Sequence, residues 1–329
     1  MFYDIIELKY FKVGDYLKIT VLDAKTLGDD VPLNVFSDIG ELEVYQATAQ
    51  NDVAQRIENS DVVVANKTKL NSTNLGKCVK LICVTATGYD NIDVEYCKAN
   101  NIAVCNVKGY STGSVAQVTV SLVLALVNRL YAYKEAVKNS TYTKCGVPNI
   151  IVPVYHELCN MTWGIIGYGD IGKKVADVAK AFGCRLMVYK KTPDNEYCVE
   201  LEKLLKESDI ITIHTPLNDG TYHLINKNNI GLIKKNCVVV NVARGAVTDE
   251  RAIADAVKAG MIDGYATDVY SQEPLGEDNP IYEIKDCDNV ILTPHMAWAA
   301  YEARRRCINE VANNIKCFFN GEIKNRVDI

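Results

Sequence analysis

Several features that define large classes of protein are scarce in this sequence. It has no excess of positive charge, because 36 lysines and arginines stand against 41 aspartates and glutamates, for a net charge of -5. A basic surface supplies most of the non-specific affinity for nucleic acid. The composition therefore argues against a nucleic-acid partner.

Long apolar runs are also missing. The longest, Val115 to Val127, is interrupted by Gln117, Thr119 and Ser121 and is shorter than the roughly 20 residues that cross a bilayer. It predicts a buried helix instead. The opening MFYDIIELKYFK carries acidic residues and lacks the basic, apolar and cleavage regions of a signal peptide. We therefore expect a cytoplasmic protein with no membrane partner.

Paired cysteines and clustered histidines are absent from the sequence. Its twelve cysteines are scattered without a CxxC pair, and its four histidines do not fall at a spacing typical of zinc sites. The cysteines stand mostly within apolar segments, which is typical of small buried side chains rather than of a disulfide framework. We expect no structural metal.

The pattern that is present is an alternation of short, β-rich apolar segments with helical segments. This alternation predicts an α/β protein with parallel sheets and helices on both faces. At 329 residues, two domains are expected, each built on a doubly wound parallel sheet. Four strands precede a long helix and five follow it: LKITVLD, DVVVAN, VKLICVTAT and IAVCNV, then TWGIIG, RLMVYK, IITIHT, CVVVNVA and VILTPH.

Two predicted helices organise the domains. The first, from about 111 to 138, is apolar on most faces, which favours burial between domains or between the subunits of a homodimer. The second runs from about Trp298 to Asn320, and Gly321 stands where a helix stops. No strand follows it, so we predict that it returns to the first domain. Residues 1–105 and 298–329 then form a substrate domain, and 106–297 form a dinucleotide-binding domain.

The segment TWGIIGYGDIG, residues 162–172, is an apolar strand that runs into three glycines and then into a helix. In this GxGxxG arrangement Gly167 permits a tight turn, Gly169 lets the backbone approach a pyrophosphate, and Gly172 lets helix and strand pack closely. The amides at the helix N-terminus receive the negative charge. The context predicts a dinucleotide site rather than a structural glycine turn.

The end of the next strand discriminates between NAD and NADP. An acidic residue there binds the ribose 2′-hydroxyl and repels a 2′-phosphate. Lys190 and Lys191 stand at this place, with Asp194 a few residues on. Two cations suit a 2′-phosphate, so the sequence favours NADP over NAD, although a solvated lysine pair at a strand end would look the same.

Three further segments end strands at the carboxyl edge of the second sheet, where doubly wound folds bind ligands. They are NVARG, ATDVYSQEP and TPHMAWA, and they carry Arg244, Glu273 and His295. Reduction of a 2-oxo acid needs a cation for the carboxylate, a proton donor for the carbonyl oxygen and a hydride source. Arg244 grips two oxygens, and a carboxylate beside a histidine favours its protonated form. Taken singly, the three also fit a surface ion pair, a turn acid and a core histidine.

The sequence resembles the D-isomer-specific 2-hydroxyacid dehydrogenase family over almost its whole length. The motifs that carry the resemblance follow the family order: TGYDNID, GYSTGSVAQ, GIIGYGDIG, HTPL, NVARG, DVYSQEP and PHMAWA. The resemblance implies that Arg244, Glu273 and His295 form the catalytic set. It also implies a Rossmann nucleotide domain inserted into a flavodoxin-like substrate domain, and dimers built on the nucleotide domains.

The resemblance extends to ligand contacts. It implies that the cofactor meets residues at the ends of several strands: Thr87, Asp170, Ile171, Thr215, Pro216, Thr221, Val242, Ala243, Arg244, Asp268 and His295. It implies substrate contacts at the backbone of Gly88, at Lys67, at Arg244 and at Trp298, which would form one wall of the pocket or else simply pack as a helix cap.

Within the family, GYST and AWA look most like the glycerate dehydrogenase or hydroxypyruvate reductase branch. The chain departs from the family where Lys190 replaces the usual aspartate, which puts the common NAD preference in doubt, and at Gln117, where glutamate is frequent. A formate dehydrogenase is disfavoured because Glu273 stands where that class has glutamine. A corepressor-like dinucleotide sensor is disfavoured because such proteins usually carry long disordered tails, and we expect none here.

Overall fold

The computed structural model of the chain describes residues 17–193 and 195–329, so the N-terminal segment discussed above and Asp194 lie outside the described residues. The chain divides into two compact units. One contains the described residues up to Ser111 together with Ala299–Ile329, and the other contains Thr112–Trp298.

Eleven strands occur in the described residues. In chain order they are β1 (Lys18–Val21), β2 (Glu41–Val44), β3 (Val62–Ala65), β4 (Leu81–Val84), β5 (Ala103–Cys105), β6 (Thr162–Ile166), β7 (Arg185–Tyr189), β8 (Ile210–Ile213), β9 (Val238–Asn241), β10 (Gly264–Thr267) and β11 (Val290–Leu292).

Ten α-helices occur in the same residues: α1 (Asn34–Ser37), α2 (Val53–Arg56), α3 (Val94–Ala99), α4 (Thr112–Val127), α5 (Leu130–Lys138), α6 (Thr141–Lys144), α7 (Asp170–Ala181), α8 (Leu201–Glu207), α9 (Glu250–Lys258) and α10 (Tyr301–Phe319). Short 3₁₀ helices cover Ala24–Leu27, Gln50–Asp52, Ile230–Leu232, Gly245–Val247 and Pro280–Ile284.

The first unit is built on a five-stranded parallel sheet with the order β2-β1-β3-β4-β5. This is the flavodoxin-like order, and the chain changes direction across the sheet between β1 and β3. Strands β3 and β4 are buried along their whole length, as expected for a parallel sheet covered on both faces.

The second unit is built on a six-stranded parallel sheet with the order β11-β10-β9-β8-β6-β7. Here the chain changes direction between β6 and β8, which places the crevice for a ligand outside the carboxyl ends of those two strands. The predicted fold class, two doubly wound parallel-sheet units, is confirmed.

Two strands were not among the nine predicted from apolar segments. β2 is the edge strand ELEV, and its alternating glutamates hide it from an apolar pattern. β10 is GYAT, which is fully buried although it contains a glycine and no run of branched residues. In both cases pairing with neighbouring strands, rather than the local composition, decides the structure.

The long helix predicted over 111–138 is wrong in one respect, because it is broken into α4 and α5, which meet at an angle of 62°. Arg129 stands at the break with a φ of +54°, and its guanidinium is held by the Asp263 carboxylate at 2.5 Å. α4 is largely buried, whereas α5 has no buried residue. This ion pair tethers the break to the loop before β10.

The last helix begins later than predicted, at Tyr301, and ends at Phe319, followed by Gly321 with a φ of +79°. α10 packs against β4 and α1 within the first unit. The segment after it lies along the edge strand β5, where Val327 N donates to Val104 O and Asn106 N donates to Asn325 O.

All twelve cysteines are free thiols. Six are buried, which fits small core side chains, while Cys78 and Cys159 are exposed. Among the described residues no group of three or more His, Cys, Asp or Glu is arranged to hold a metal ion. No single helix in this part of the chain has the length and apolarity of a membrane span, although the bent pair α4 and α5 together meets that criterion.

Candidate active site

The glycine loop between β6 and α7 has the backbone geometry of a dinucleotide-binding turn. Gly167 has a φ of +93°, and a Cβ added there would lie 2.6 Å from the backbone nitrogen of Thr215, in the loop after β8. A Cβ on Gly172 would lie 2.2 Å from the carbonyl oxygen of Gly167. Both positions therefore require glycine, one for the turn and one for the close packing of helix on strand.

Gly169 differs from the other two glycines in that no atom lies within 4 Å of an added Cβ. It is the N-cap of α7 and supplies no side-chain cap. The amides of the first turn, from Asp170 to Gly172, have no intrahelical acceptor, as at the N-terminus of any helix, and a ligand can accept from them there. The residues present thus fit the pyrophosphate of a dinucleotide, with backbone N–H groups as its ligands.

Lys190 directly follows β7 and is half-buried, while Lys191 is exposed. They stand at the carboxyl end of the strand next to the glycine loop, because β6 and β7 are paired. This is the position at which doubly wound dehydrogenases distinguish the adenosine ribose of NAD from that of NADP.

The loop after β8 closes the other side of the crevice. Thr221 shapes it, because its hydroxyl donates to Pro216 O at 2.6 Å and accepts from Asn218 N at 2.8 Å. The ring of His214 is buried, and its nitrogens have no hydrogen-bond partner among the described residues. Burial lowers the pKa of His214 to about 3, so this ring stays neutral over the ordinary pH range.

The loop that carries Arg244 is fixed by the side chain of Asn241, the last residue of β9. Asn241 Oδ1 accepts from Ala243 N at 3.0 Å, and Asn241 Nδ2 donates to Arg244 O at 3.0 Å. Arg244 Nη1 in turn donates to Ala243 O at 2.9 Å. These bonds hold the guanidinium over the carboxyl end of the sheet, where it can bind an anion.

The Arg244 loop packs tightly on the loop that follows β10. A Cβ on Gly245 would lie 2.0 Å from the carbonyl carbon of Tyr270, so only glycine fits. The buried carboxylate of Glu250 accepts from Ser271 N at 2.7 Å and from Asn279 Nδ2 at 2.8 Å, and it also accepts from the Ser271 hydroxyl. The segment leading to Glu273 is thus held from two sides.

Glu273 and His295 form a hydrogen-bonded pair. His295 Nδ1 lies 2.7 Å from Glu273 Oε2, and Glu273 Oε1 accepts from Tyr270 N at 3.2 Å. The side chains of the histidine and the glutamate are 24% and 29% exposed, so the pair is reachable from solvent. With Nδ1 engaged by the carboxylate, Nε2 is the ring nitrogen left to exchange a proton with a substrate.

Asp268 supports the segment that carries His295. It is 1% exposed, and its carboxylate accepts from Thr293 Oγ1 at 2.6 Å, Met296 N at 2.8 Å and Ala297 N at 2.8 Å. His295 itself has a φ of +53°, an uncommon conformation that these bonds on both sides of it stabilise.

The remaining candidates lie in different parts of the chain. Trp298 is half-buried and packs against the core beneath α4 in the second unit. Lys67, Thr87 and Gly88 belong to the first unit and follow β3 and β4. Thr87 Oγ1 donates to Val107 O at 2.8 Å.

Sequence reasoning missed the supporting roles of Asn241 and Glu250, and it named Asp268 only as a cofactor contact. Glu250 and Asp268 bind backbone or side chains that lie 21 to 29 residues away along the chain. The one signal in the sequence was local, because Asn241 is the first residue of the NVARG motif that carries Arg244, and asparagine often bonds to backbone two residues on.

A parallel α/β unit with a glycine loop at its switch point and an acid–histidine pair at the same sheet edge defines a dinucleotide-dependent oxidoreductase. Residues 120–297 match the sequence model of the "D-isomer specific 2-hydroxyacid dehydrogenase, NAD binding domain". The chain belongs to the D-isomer-specific 2-hydroxyacid dehydrogenase family, as the resemblance predicted.

Two curated relatives match nearly the whole chain. A hydroxypyruvate reductase of Blautia hydrogenotrophica is 34% identical over 95% of this chain and 100% of its own length. A glycerate dehydrogenase of Methylorubrum extorquens is 32% identical over 94% of this chain and 99% of its own length.

Solved structures agree with this placement. An acyclic imino acid reductase in complex with NADPH and D-Arg matches with a TM-score of 0.84 and 28% identity, covering 94% of this chain and 100% of that one. A D-lactate dehydrogenase from Aquifex aeolicus complexed with NAD and lactic acid matches with a TM-score of 0.82 and 29% identity, covering 95% and 99%. The protein is an NAD(P)-dependent 2-hydroxyacid dehydrogenase that acts on the CH–OH group of its donor.

Proposed function

We propose that the protein reduces hydroxypyruvate or glyoxylate to the corresponding 2-hydroxy acid, or oxidises that hydroxy acid in reverse. The observation that carries the proposal is the Glu273–His295 pair, with 2.7 Å between Oε2 and Nδ1, at the sheet edge that also carries Arg244 and the glycine loop. Relatives named hydroxypyruvate reductase and glycerate dehydrogenase support this substrate class.

In this mechanism the bound nicotinamide supplies the hydride. His295 Nε2 delivers a proton to the carbonyl oxygen of the 2-oxo acid, and Glu273, hydrogen-bonded to Nδ1, holds the ring in orientation. Arg244 binds the substrate carboxylate and the carbonyl oxygen, whose developing negative charge it stabilises. In the oxidative direction the neutral ring accepts the proton from the hydroxyl group.

Further residues complete the proposed substrate site. The backbone of Gly88 and the side chain of Lys67 bind the substrate carboxylate, and Trp298 forms a wall of the pocket. The family resemblance supports these roles. It also supports dinucleotide contacts from Thr87, Asp170, Ile171, Thr215, Pro216, Thr221, Val242, Ala243, Arg244, Asp268 and His295, in addition to the three glycines.

The two units have separate tasks in this proposal. Residues 106–297 form the dinucleotide-binding domain, and residues 1–105 with 298–329 form the substrate domain. The match of 120–297 to an NAD binding domain and the flavodoxin-like strand order of the other sheet support this division.

The cofactor is proposed to be NADP rather than NAD. Lys190 and Lys191, at the end of β7, suit the 2′-phosphate, and no acid stands directly at the strand end to bind a 2′-hydroxyl. Both dinucleotides occur among the solved relatives, since one was solved with NADPH and another with NAD.

Replacing Lys190 with aspartate should shift the preference toward NADH. The new carboxylate repels the 2′-phosphate and can accept a hydrogen bond from a 2′-hydroxyl. A charge-assisted contact contributes about 1.5 to 3 kcal/mol, so the ratio of kcat/KM for NADPH to that for NADH should fall by about 10- to 150-fold. The ratio is measured at saturating 2-oxo acid.

The control for this change is Lys206→Asp, which makes the same charge change on α8, where Lys206 pairs with Glu202 at 3.1 Å on the surface. The cofactor ratio of this control should stay at the wild-type value. An unchanged ratio in the Lys190 variant would remove Lys190 from the cofactor site.

A homodimer in the cytoplasm remains part of the proposal. An apolar surface supports the dimer: Tyr131, Ile151, Val152, Val154 and Tyr155, from α5 and the loop after α6, are each about half exposed or more. Exposed apolar groups of this kind are typical of protein interfaces. Sedimentation of the full chain at micromolar concentration would contradict the dimer if it gave the mass of one chain.

The proposed activity is tested by following the absorbance of NADPH and of NADH with hydroxypyruvate, glyoxylate, pyruvate and a branched 2-oxo acid. The proposal expects the highest kcat/KM with hydroxypyruvate or glyoxylate. A preference for pyruvate or the branched acid would keep the family activity and overturn the proposed substrate.

A further inference from the structure

Asp23 lies just after β1, and its carboxylate binds the loop that follows β3. The backbone nitrogens of Asn66, Lys67 and Thr68 donate to it at 2.9, 2.7 and 2.9 Å, and the Thr68 hydroxyl donates at 3.0 Å. Asp23 is 6% exposed, so these bonds form with little competition from water. Three consecutive amides that converge on one anion form a backbone nest.

The place of this nest in the sheet is informative. β1 and β3 are neighbours in the order β2-β1-β3-β4-β5, and the chain changes direction across the sheet between them. Doubly wound sheets bind their ligands in the crevice outside the carboxyl ends of such a strand pair. In this unit the chain's own carboxylate fills the anion site at that crevice.

The nest binds the backbone on both sides of an exposed cation, Lys67. Asn66 and Thr68 are buried, whereas Lys67 between them is exposed. Further along, Asn91 Nδ2 donates to Thr68 O at 2.8 Å and Gln50 Nε2 donates to Lys69 O at 2.8 Å. Asp23 fixes the start of the loop, which carries Lys67, and the side-chain amides of Asn91 and Gln50 fix its end.

We propose that Asp23 is a positioning residue for substrate binding: by filling the nest at the β1/β3 crevice it fixes the backbone from which Lys67 reaches the substrate carboxylate. The inference rests on the proposed function, in which Lys67 has that contact. Asp23 itself touches neither substrate nor cofactor. Its loss therefore acts on substrate affinity through the loop and leaves the dinucleotide unit unchanged.

The test is Asp23→Ala, assayed with hydroxypyruvate at saturating cofactor. A loop displaced by a fraction of an ångström or more should raise the KM for the 2-oxo acid by about tenfold or more, while kcat changes by less than about threefold. The dissociation constant of NADPH, measured by fluorescence, should stay at the wild-type value. A wild-type circular dichroism spectrum with a cooperative thermal transition shows that the variant is folded.

Chemical rescue distinguishes the nest from a merely structural role. The alanine variant leaves three amides facing a space the size of a small carboxylate, so sodium formate should lower the KM of Asp23→Ala toward the wild-type value. Sodium chloride at the same ionic strength should not do so. Formate should not lower the KM of the wild-type protein, in which Asp23 fills the nest.

Asp61→Asn is the matched control. Asp61 directly precedes β3, and its carboxylate accepts from the backbone nitrogen of Lys18, the first residue of β1, at 3.0 Å. This bond therefore also links β1 to β3, but it lies at the amino edge of the sheet. This change should lower thermal stability without changing the KM. Asp23→Asn, which keeps the size of the side chain, replaces the alanine variant if the latter does not fold, and the same rise in KM is expected.

Lys67→Met distinguishes a failure of the positioning role of Asp23 from a failure of the proposed contact between Lys67 and the substrate. A raised KM in Lys67→Met together with a wild-type KM in the Asp23 variants would overturn the positioning role and leave the proposed function in place. An unchanged KM in Lys67→Met would remove Lys67 from the substrate site, and the positioning role would be overturned with it, while hydroxypyruvate reduction itself would stand. If formate and chloride changed the raised KM of Asp23→Ala equally, the proposed positioning role of Asp23 in the nest would also be overturned.

Discussion

Replacing Glu273 with glutamine should lower kcat/KM for reduction of the 2-oxo acid by about 10- to 150-fold. The carboxylate that is hydrogen-bonded to His295 Nδ1 at 2.7 Å becomes a neutral amide, so a charge-assisted hydrogen bond worth about 1.5 to 3 kcal/mol is lost. Because that bond holds the ring in orientation, Nε2 is directed at the carbonyl oxygen of the substrate less often in the variant.

The dissociation constant of the dinucleotide should stay at the wild-type value, because Glu273 is not one of the proposed cofactor contacts. The measurement is kcat/KM of the variant in both directions, with the dinucleotide affinity measured by fluorescence. A wild-type kcat/KM would show that Glu273 does not position His295.

Glu277→Gln is the matched control for this experiment. It makes the same substitution four residues on, where Glu277 accepts a hydrogen bond from the Tyr282 hydroxyl on the surface at 3.3 Å. Its kcat/KM in both directions should equal that of the wild-type protein.

Replacing Arg244 with lysine should weaken binding and turnover of the 2-oxo acid far more than binding of the cofactor. Lysine keeps the charge but loses the planar fork that binds two oxygens at once. The loss of one charge-assisted hydrogen bond costs about 1.5 to 3 kcal/mol, so kcat/KM for the 2-oxo acid should fall by about 10- to 150-fold. The dissociation constant of the dinucleotide should rise by a much smaller factor, because Arg244 is only one of many proposed dinucleotide contacts.

Arg251→Lys controls for the substitution itself. Arg251 lies on α9 and forms an ion pair with Glu283 on the surface, with 2.6 Å between Nη2 and Oε1. Surface pairs contribute little, so this variant should keep wild-type kinetics. An unchanged kcat/KM in Arg244→Lys would remove Arg244 from the substrate site.

The sequence predicted where the site lies because parallel strands all end at one edge of their sheet. The segments that carry Arg244, Glu273 and His295 each follow a strand, and the structure places them after β9, β10 and β11, which are neighbours. The hydrogen bond between Glu273 and His295 could not be predicted in this way. It depends on loops whose shapes are set by distant partners, such as the bonds from Asp268 to the backbone of Met296 and Ala297.

The same limit explains the errors in the fold. β2 alternates glutamates with apolar residues, so no apolar run predicts it, yet it is paired with β1 in the sheet. The break between α4 and α5 contains no proline or glycine from which it could have been predicted. Arg129 adopts a left-handed backbone conformation, and its side chain is paired with Asp263, which is 134 residues away. Tertiary contacts, absent from any local window, decide both features.

The central claim is that His295, paired with Glu273, gives a proton to the 2-oxo acid in reduction and takes it back in oxidation. The most direct test is to measure kcat/KM of the wild-type protein against pH for hydroxypyruvate reduction and for oxidation of D-glycerate. The account predicts that reduction falls and oxidation rises as pH increases. The same direction of change with pH in both reactions would contradict it.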